Sequence, residues 1–218
     1  RGELYLENHR GTYTSQAQAK KQNRQAELLL REAEILAALA MAGGARYDQS
    51  GFTEAWKLVL LNQFHDILPG SSIDEVYPQS DRQYAAVFSS VGAIRDQAFG
   101  RLARGVDTRG AGEPVLAFNS LSWTRRDLIE VEAPARMKGG AWVAAGADGE
   151  ACPVQIGEDG KARFLGTLPS MGHKVFHILP AGASLPEIAV SERGMENAFV
   201  RLRFDGQGRL RGVYDKRS

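Results

Sequence analysis

The uneven distribution of glycine and proline divides this chain into two parts with different predicted structures. Residues 1–104 hold 8 of the 24 glycines and 2 of the 8 prolines, whereas residues 105–218 hold 16 and 6. Because both residues interrupt regular helices, long helices are expected only in the first part. Short runs of β-forming residues between turns are typical of antiparallel strands in the second. The sequence therefore predicts an α+β chain.

The first part carries three amphipathic segments. Helices are predicted over Thr14–Met41, which Gly43-Gly44 ends, and over Thr53–Ile67. A third begins at Ser72, where Ser72 and Glu75 fit a capping box. Because the connections are short, these helices are expected to form an antiparallel three-helix bundle over residues 14–105.

Side-chain spacing assigns faces to these helices. On the second helix, the three-to-four-residue recurrence predicts one buried face, formed by Trp56, Leu60, Phe64 and Ile67. On the first helix, Lys20 and Glu27 are assigned to the mostly solvated side.

Residues 106–113 are predicted to link the helices to a β-region over 114–218. Turns such as Asp148-Gly149 and Asp205-Gly206 separate the strand-like runs, a spacing that predicts a β-sandwich of antiparallel strands. The predicted strands are Pro114–Asn119, Asp127–Glu132, Ala141–Ala145, Pro153–Ile156, Arg163–Leu168, Lys174–Leu179, Asn197–Phe204 and Leu210–Tyr214. Since the last strand ends near the C-terminus, we expect the sandwich to be incomplete.

Composition excludes several classes of protein. The 27 basic and 26 acidic residues leave a net charge of +1, which argues against binding to nucleic acid or an anionic membrane. Cys152 is the only cysteine, so an intrachain disulfide is impossible and a cytoplasmic location is expected. The sequence starts without an initiator Met or a signal-peptide pattern, and we expect it to be a piece of a longer protein.

His65 and Asp66 stand out at the end of the second predicted helix, beside its buried face. A lone histidine in this position is more often a core residue than a metal ligand. Zinc sites need three or four donors, and no second histidine lies at a helical offset of three or four. If His65 binds a metal, its co-ligands must come from elsewhere in the fold or from chain outside this sequence.

The polar segment before the first helix has two interpretations. It is either a helix-entry loop capped by Thr14 or Ser15, or the rim of a site where His9, Arg10 and Tyr13 contact a polyhydroxylated ligand. The residues alone favour the loop.

Other candidate residues are predicted to be structural. His173 and His177 are four residues apart but lie in a strand-like run, so they do not share a helix face. Cys152 has no helix N-terminus or evident base beside it, which argues against a nucleophilic role.

Six motifs, in order along nearly the whole chain, resemble the family 38 glycoside hydrolases, the zinc-dependent α-mannosidases. The resemblance is closest to the cytosolic and bacterial branch, and its first motifs are the most specific. The motifs are Gly2–Thr14, Lys21–Glu27, Leu61–Ile73, Phe118–Arg125, Leu168–Gly172 and Met195–Phe199.

The resemblance implies a site to which this chain contributes one metal ligand. Of the zinc ligands in that family, only the histidine of the helical domain has a counterpart here, His65. The remaining ligands, the nucleophile and the general acid would lie upstream of Arg1 in a catalytic domain, of which residues 1–13 would be the tail. Asp66 could orient His65, although adjacent helical residues point about 100° apart.

The implied activity is retaining hydrolysis of α-mannosidic linkages in oligosaccharides by the full-length enzyme, with this chain inactive alone. The partners would be a mannose-containing oligosaccharide and the catalytic domain. The alternative is a non-catalytic module that binds carbohydrate or a protein. A DNA-binding bundle ranks third because of the charge balance.

Overall fold

A computed structural model describes residues 10–137, 140–181 and 189–217. Three helices are followed by antiparallel strands, which confirms the α+β prediction. The chain divides between Asp107 and Thr108 into a helical unit and a β unit. None of the helices in the described ranges is long and apolar enough to cross a membrane.

The helical unit consists of α1 (Ala17–Ala42), α2 (Gln49–Asn62) and α3 (Val76–Ala103). The carboxylate of Asp48 caps α2 by accepting a 3.0 Å hydrogen bond from the Gly51 amide. The capping box predicted at the start of α3 is wrong. Glu75 occupies the cap position without a side-chain bond, and the Ser72 hydroxyl donates to the Asp66 carbonyl instead.

The three helices pack against one another through small and branched side chains. On α1 the buried apolar residues are Ala19, Ala26, Leu30, Ala33, Leu36, Ala37 and Ala40. The Trp56 indole of α2 donates a 2.8 Å hydrogen bond to Glu34, about two thirds of the way along α1. At the end of α2, the Asn62 amide donates to Gln83, near the start of α3. The alanine-rich stripe lets α1 approach its neighbours closely.

The buried face predicted for α2 is wrong. The buried residues are Phe52, Ala55, Val59 and Asn62, whereas Leu60 is 60% exposed and Phe64 is 51% exposed. Both sets follow helical spacing, but they differ by a rotation of about one residue. The face that carries Phe52 together with smaller and polar side chains packs inward, which leaves several large apolar side chains at the surface.

The β unit begins with one continuous six-stranded antiparallel sheet in the order β1-β6-β3-β4-β5-β2. Its strands are β1 (Glu113–Asn119), β2 (Arg125–Glu132), β3 (Trp142–Gly146), β4 (Ala151–Ile156), β5 (Lys161–Leu168) and β6 (Gly172–Pro180), with a 3-10 turn at Ala135–Met137. This sheet is barrel-like, whereas the sequence predicted a β-sandwich. Its core is centred on Phe164 and Phe176, whose rings meet edge to face with centroids 5.1 Å apart.

The last four strands form a separate antiparallel sheet, β10-β9-β8-β7. They are β7 (Ala189–Ser191), β8 (Gly194–Glu196), β9 (Val200–Phe204) and β10 (Leu210–Asp215); the sequence predicted only the last two. The register aligns one apolar residue from each strand in a row, namely Val190, Met195, Leu202 and Val213. On β8 and β9, the neighbouring pair Glu196 and Arg201 forms an ion pair. The sheet is therefore amphipathic.

Candidate functional site

The segment that carries His65 is not helical. α2 ends at Asn62 rather than at Ile67, and residues 63–71, called here the His65 segment, form successive turns. The amides of Ile67 and Leu68 donate to the Phe64 carbonyl. Gly70 has a φ of 90°, and Pro69 disfavours a helical Leu68. Because the helix stops early, His65 does not lie beside the buried face.

The His65 side chain points into solvent, with 77% of its surface exposed. Its Nε2 atom lies 3.6 Å from Oδ2 of Asp66, so the two groups are close without forming a hydrogen bond. The imidazole ring also contacts the Phe64 ring, with centroids 4.1 Å apart. The 100° separation expected between helical neighbours does not apply in a turn, so Asp66 can reach His65.

The polar segment before α1, residues 3–15, is called here the opening segment. It is described from Arg10 onward, and His9 lies outside the described residues. The amides of Thr14 and Ser15 both donate to the Gly11 carbonyl, which makes a tight turn. Arg10 is exposed, as is Tyr13, at 67%. The predicted helix cap is wrong, because Gln16 occupies that position with a φ of 50° and no side-chain capping bond.

The opening segment and the His65 segment meet at one end of the helical unit. The Lys20 ammonium bridges them by donating to the Ser15 carbonyl at 2.5 Å and to the Leu68 carbonyl at 2.9 Å. Gly70 packs so closely that a Cβ atom there would lie 2.7 Å from the Ser15 carbonyl oxygen. Partial burial lowers the pKa of Lys20. The two regions singled out in the sequence are therefore neighbours in the fold.

A polar network lies beneath the His65 segment. The Gln63 amide donates to Asn23 at 3.0 Å and to Glu27 at 2.9 Å, and the Tyr84 hydroxyl donates to Asn23 at 3.3 Å. Burial and the nearby Glu27 carboxylate raise the pKa of Tyr84 to about 12, so its hydroxyl stays protonated as a donor.

Sequence reasoning missed the roles of Lys20 and Glu27, which it assigned to solvated faces. Both are partly buried and bonded across the unit. One signal was available in the sequence. Asn23 interrupts the apolar stripe of α1 between Ala19 and Ala26, and a polar residue at such a position needs a buried partner.

The described part of this chain does not by itself present a metal centre. Among the described residues, no three His, Cys, Asp or Glu side chains lie close enough together to hold an ion. A zinc ion needs three or four donors, so the single exposed imidazole of His65 could serve only as one of them.

Structural roles for His173, His177 and Cys152 stay predictions; a backbone contact of His177 and the burial of Cys152 favour them, whereas His173 is exposed. Nε2 of His177, on β6, lies 3.1 Å from the Thr108 carbonyl oxygen, and His173 lies on the same strand. Cys152 is buried in the β core, and burial raises the pKa of its thiol. A protonated, inaccessible thiol is a poor nucleophile.

Comparison with known proteins identifies the family. Residues 7–102 match the family model described as the alpha mannosidase middle domain, a range that includes His65 and the network beneath it. Human alpha-mannosidase 2C1 is 32% identical over 96% of this chain and 19% of its own length. The chain belongs to the family 38 α-mannosidases.

Further relatives extend the match to other organisms. The mouse alpha-mannosidase 2C1 is 37% identical over 61% of this chain and 13% of its own length. An alpha-mannosidase of Saccharomyces cerevisiae is 51% identical over 35% of this chain and 7% of its own length. The chain thus spans at most about a fifth of the length of these curated α-mannosidases.

A solved structure shares the fold of this chain. A family 38 glycosyl hydrolase from Enterococcus faecalis superposes with a TM-score of 0.66 at 21% identity. The match covers 94% of this chain and 30% of that one. The likeness in fold therefore extends over both the helical unit and the β unit of this chain.

Proposed function

We propose that this chain supplies the middle helical domain and the first β-region of an enzyme that hydrolyses α-mannosidic linkages in oligosaccharides. One observation carries the proposal: the exposed His65 imidazole lies within the range matched to the α-mannosidase middle domain. A side chain that contributes to a site shared with another domain must reach out of its own, as this one does.

We propose His65 as one ligand of a zinc ion whose other ligands lie outside these 218 residues. When bound, such an ion would orient and polarise sugar hydroxyl groups. The neighbouring Asp66 carboxylate would restrict the ring orientation of His65, since it lies 3.6 Å from Nε2. Tyr13, and with it Arg10 and His9, remain proposed contacts at the rim of the site.

The surface around His65 supports a domain partner. Leu60, Leu61, Phe64 and Ile73 are each more than half exposed, although large apolar side chains usually cluster inside. We propose that the antiparallel helical bundle docks a catalytic domain on this surface. That domain would supply the nucleophile and the general acid of a retaining mechanism, two carboxyl groups roughly 5–5.5 Å apart.

We further propose that the enzyme is cytoplasmic. The support is the composition: the only cysteine is buried, and no disulfide can form within the chain.

The test is an activity assay of the purified 218-residue chain with an aryl α-mannoside and excess zinc. We expect no turnover above the blank, because one imidazole supplies neither catalytic carboxylate. As a positive control, a polypeptide that also carries a catalytic domain should hydrolyse the same substrate. Zinc-dependent turnover by the 218-residue chain that disappears in His65→Ala would overturn the division of the site between domains.

A further inference from the structure

The His65 segment is anchored on both sides of His65 by a single face of α1. Two residues before His65, the Gln63 amide donates to Asn23 and Glu27. Three residues after it, the Leu68 carbonyl accepts from Lys20. The anchoring positions 20, 23 and 27 follow helical spacing, so all three side chains project from the same side of α1.

The polar side chains that anchor the His65 segment are concentrated at the end of the helical unit where that segment lies. They are not spread along the helices. Farther along α1 the fully buried residues, from Ala26 to Ala40, are all apolar, and the partly buried Glu34 beside them accepts from the Trp56 indole. Among the described residues of the helical unit, the buried polar side chains are Asn23, Asn62 and Ser80, and all lie at the end that carries the His65 segment. Packing alone would not require polar groups there, since apolar residues hold the remainder of the unit together.

The anchors add to the local turn hydrogen bonds of a segment in which no residue from 63 to 70 is fully buried. Between Gln63 and Leu68 the segment has left α2, and the side chains of Phe64 and His65 are both mostly exposed. Such a segment has few buried apolar contacts to fix it, and turns of this kind are commonly mobile. Anchors at both ends restrict the backbone, and contact with the Phe64 ring restricts the imidazole.

We propose that Lys20, Asn23 and Glu27 are positioning residues that hold the His65 segment in one conformation, so that the imidazole is presented in a fixed direction before any partner binds. The importance of that direction rests on the function proposed above; the anchoring itself does not. A group held in its bound geometry loses less entropy when the site assembles.

The test measures backbone order across residues 64–70, at every position except Pro69, which has no amide proton, by ¹⁵N relaxation in the 218-residue chain. Lys20→Met keeps the aliphatic stem but removes the donor, and Gln63→Ala removes the other anchor. In each variant the order parameters of residues 64–70 should fall from about 0.85, typical of rigid backbone, to below about 0.6. The order parameters within α1 and α3 should stay unchanged.

Matched controls separate anchoring from a general loss of stability. Lys57→Met and Gln49→Ala remove exposed bonds to Glu54 and Thr53 elsewhere in the helical unit, and should leave residues 64–70 ordered. Lys20→Arg retains a cationic donor and should restore the order lost in Lys20→Met, a rescue that is also available if Lys20→Met folds poorly. Unchanged order of residues 64–70 in both folded anchor variants would overturn the proposal.

The experiments can refute the proposed function and the anchoring independently of each other. If order is lost as expected, but His65→Ala leaves the zinc affinity of the larger enzyme unchanged, the metal role is wrong and the anchoring stands. If the anchoring and the metal role of His65 are both correct, Lys20→Met should weaken zinc affinity of the larger enzyme by about 10–100-fold. This is the usual effect of removing a group that orients a ligand. A smaller loss than this, with His65→Ala abolishing binding, would contradict a positioning role.

Discussion

At the scale of single residues, Gly70 lies at a close approach of the two segments at the end of the helical unit. Its φ of 90° suits glycine, and an added Cβ would lie 2.7 Å from the Ser15 carbonyl oxygen. Gly70→Ala should therefore lower the free energy of unfolding by about 1–3 kcal/mol, measured by urea denaturation.

Gly92, within α3, provides the control for that substitution. A Cβ there would meet nothing within 4 Å. Because alanine is the better helix former, Gly92→Ala should raise the free energy of unfolding by about 0.5–1 kcal/mol. If Gly70→Ala were as well tolerated as Gly92→Ala, the close approach of the two segments would be wrong.

At the scale of elements, the register of α2 can be tested with adjacent residues. Val59 is fully buried and Leu60 is 60% exposed. The spacing of apolar residues had predicted that Leu60 lies on the buried face. Val59→Ala should cost about 1.5–3 kcal/mol of stability, whereas Leu60→Ala should change it by less than about 0.5 kcal/mol. Thermal and urea unfolding of the two variants would compare them directly. A larger loss for Leu60→Ala would restore the predicted face.

The elements also show how far sequence reasoning reaches. Eight of the ten strands found among the described residues were predicted, because turn residues bound runs of β-formers. β7 and β8 were missed, since each has three residues and carries almost no periodicity. The face of α2 was misjudged for a different reason. Helical periodicity fixes which residues share a face, but close packing against α1 and α3 decided which face was buried.

At the scale of the whole molecule, His65 was predicted as a metal ligand because the surrounding motif resembles that of the α-mannosidases. The spacing of residues on the helix did not predict it. Spacing favoured a core histidine, whereas the side chain is exposed. The contacts that hold its segment in place join residues about 40 positions apart, such as Asn23 and Gln63. A single sequence does not specify pairings of this kind, because they depend on how α1 and α2 align in three dimensions.

The zinc content of the larger α-mannosidase polypeptide that contains this sequence tests the central claim most directly. His65→Ala should remove most of the bound zinc and the activity with it, because one of three or four ligands is lost. His173→Ala replaces another exposed histidine, on strand β6, and should retain both. Full zinc occupancy in His65→Ala, measured by elemental analysis after dialysis, would contradict the assignment of His65 as the metal ligand that this chain contributes.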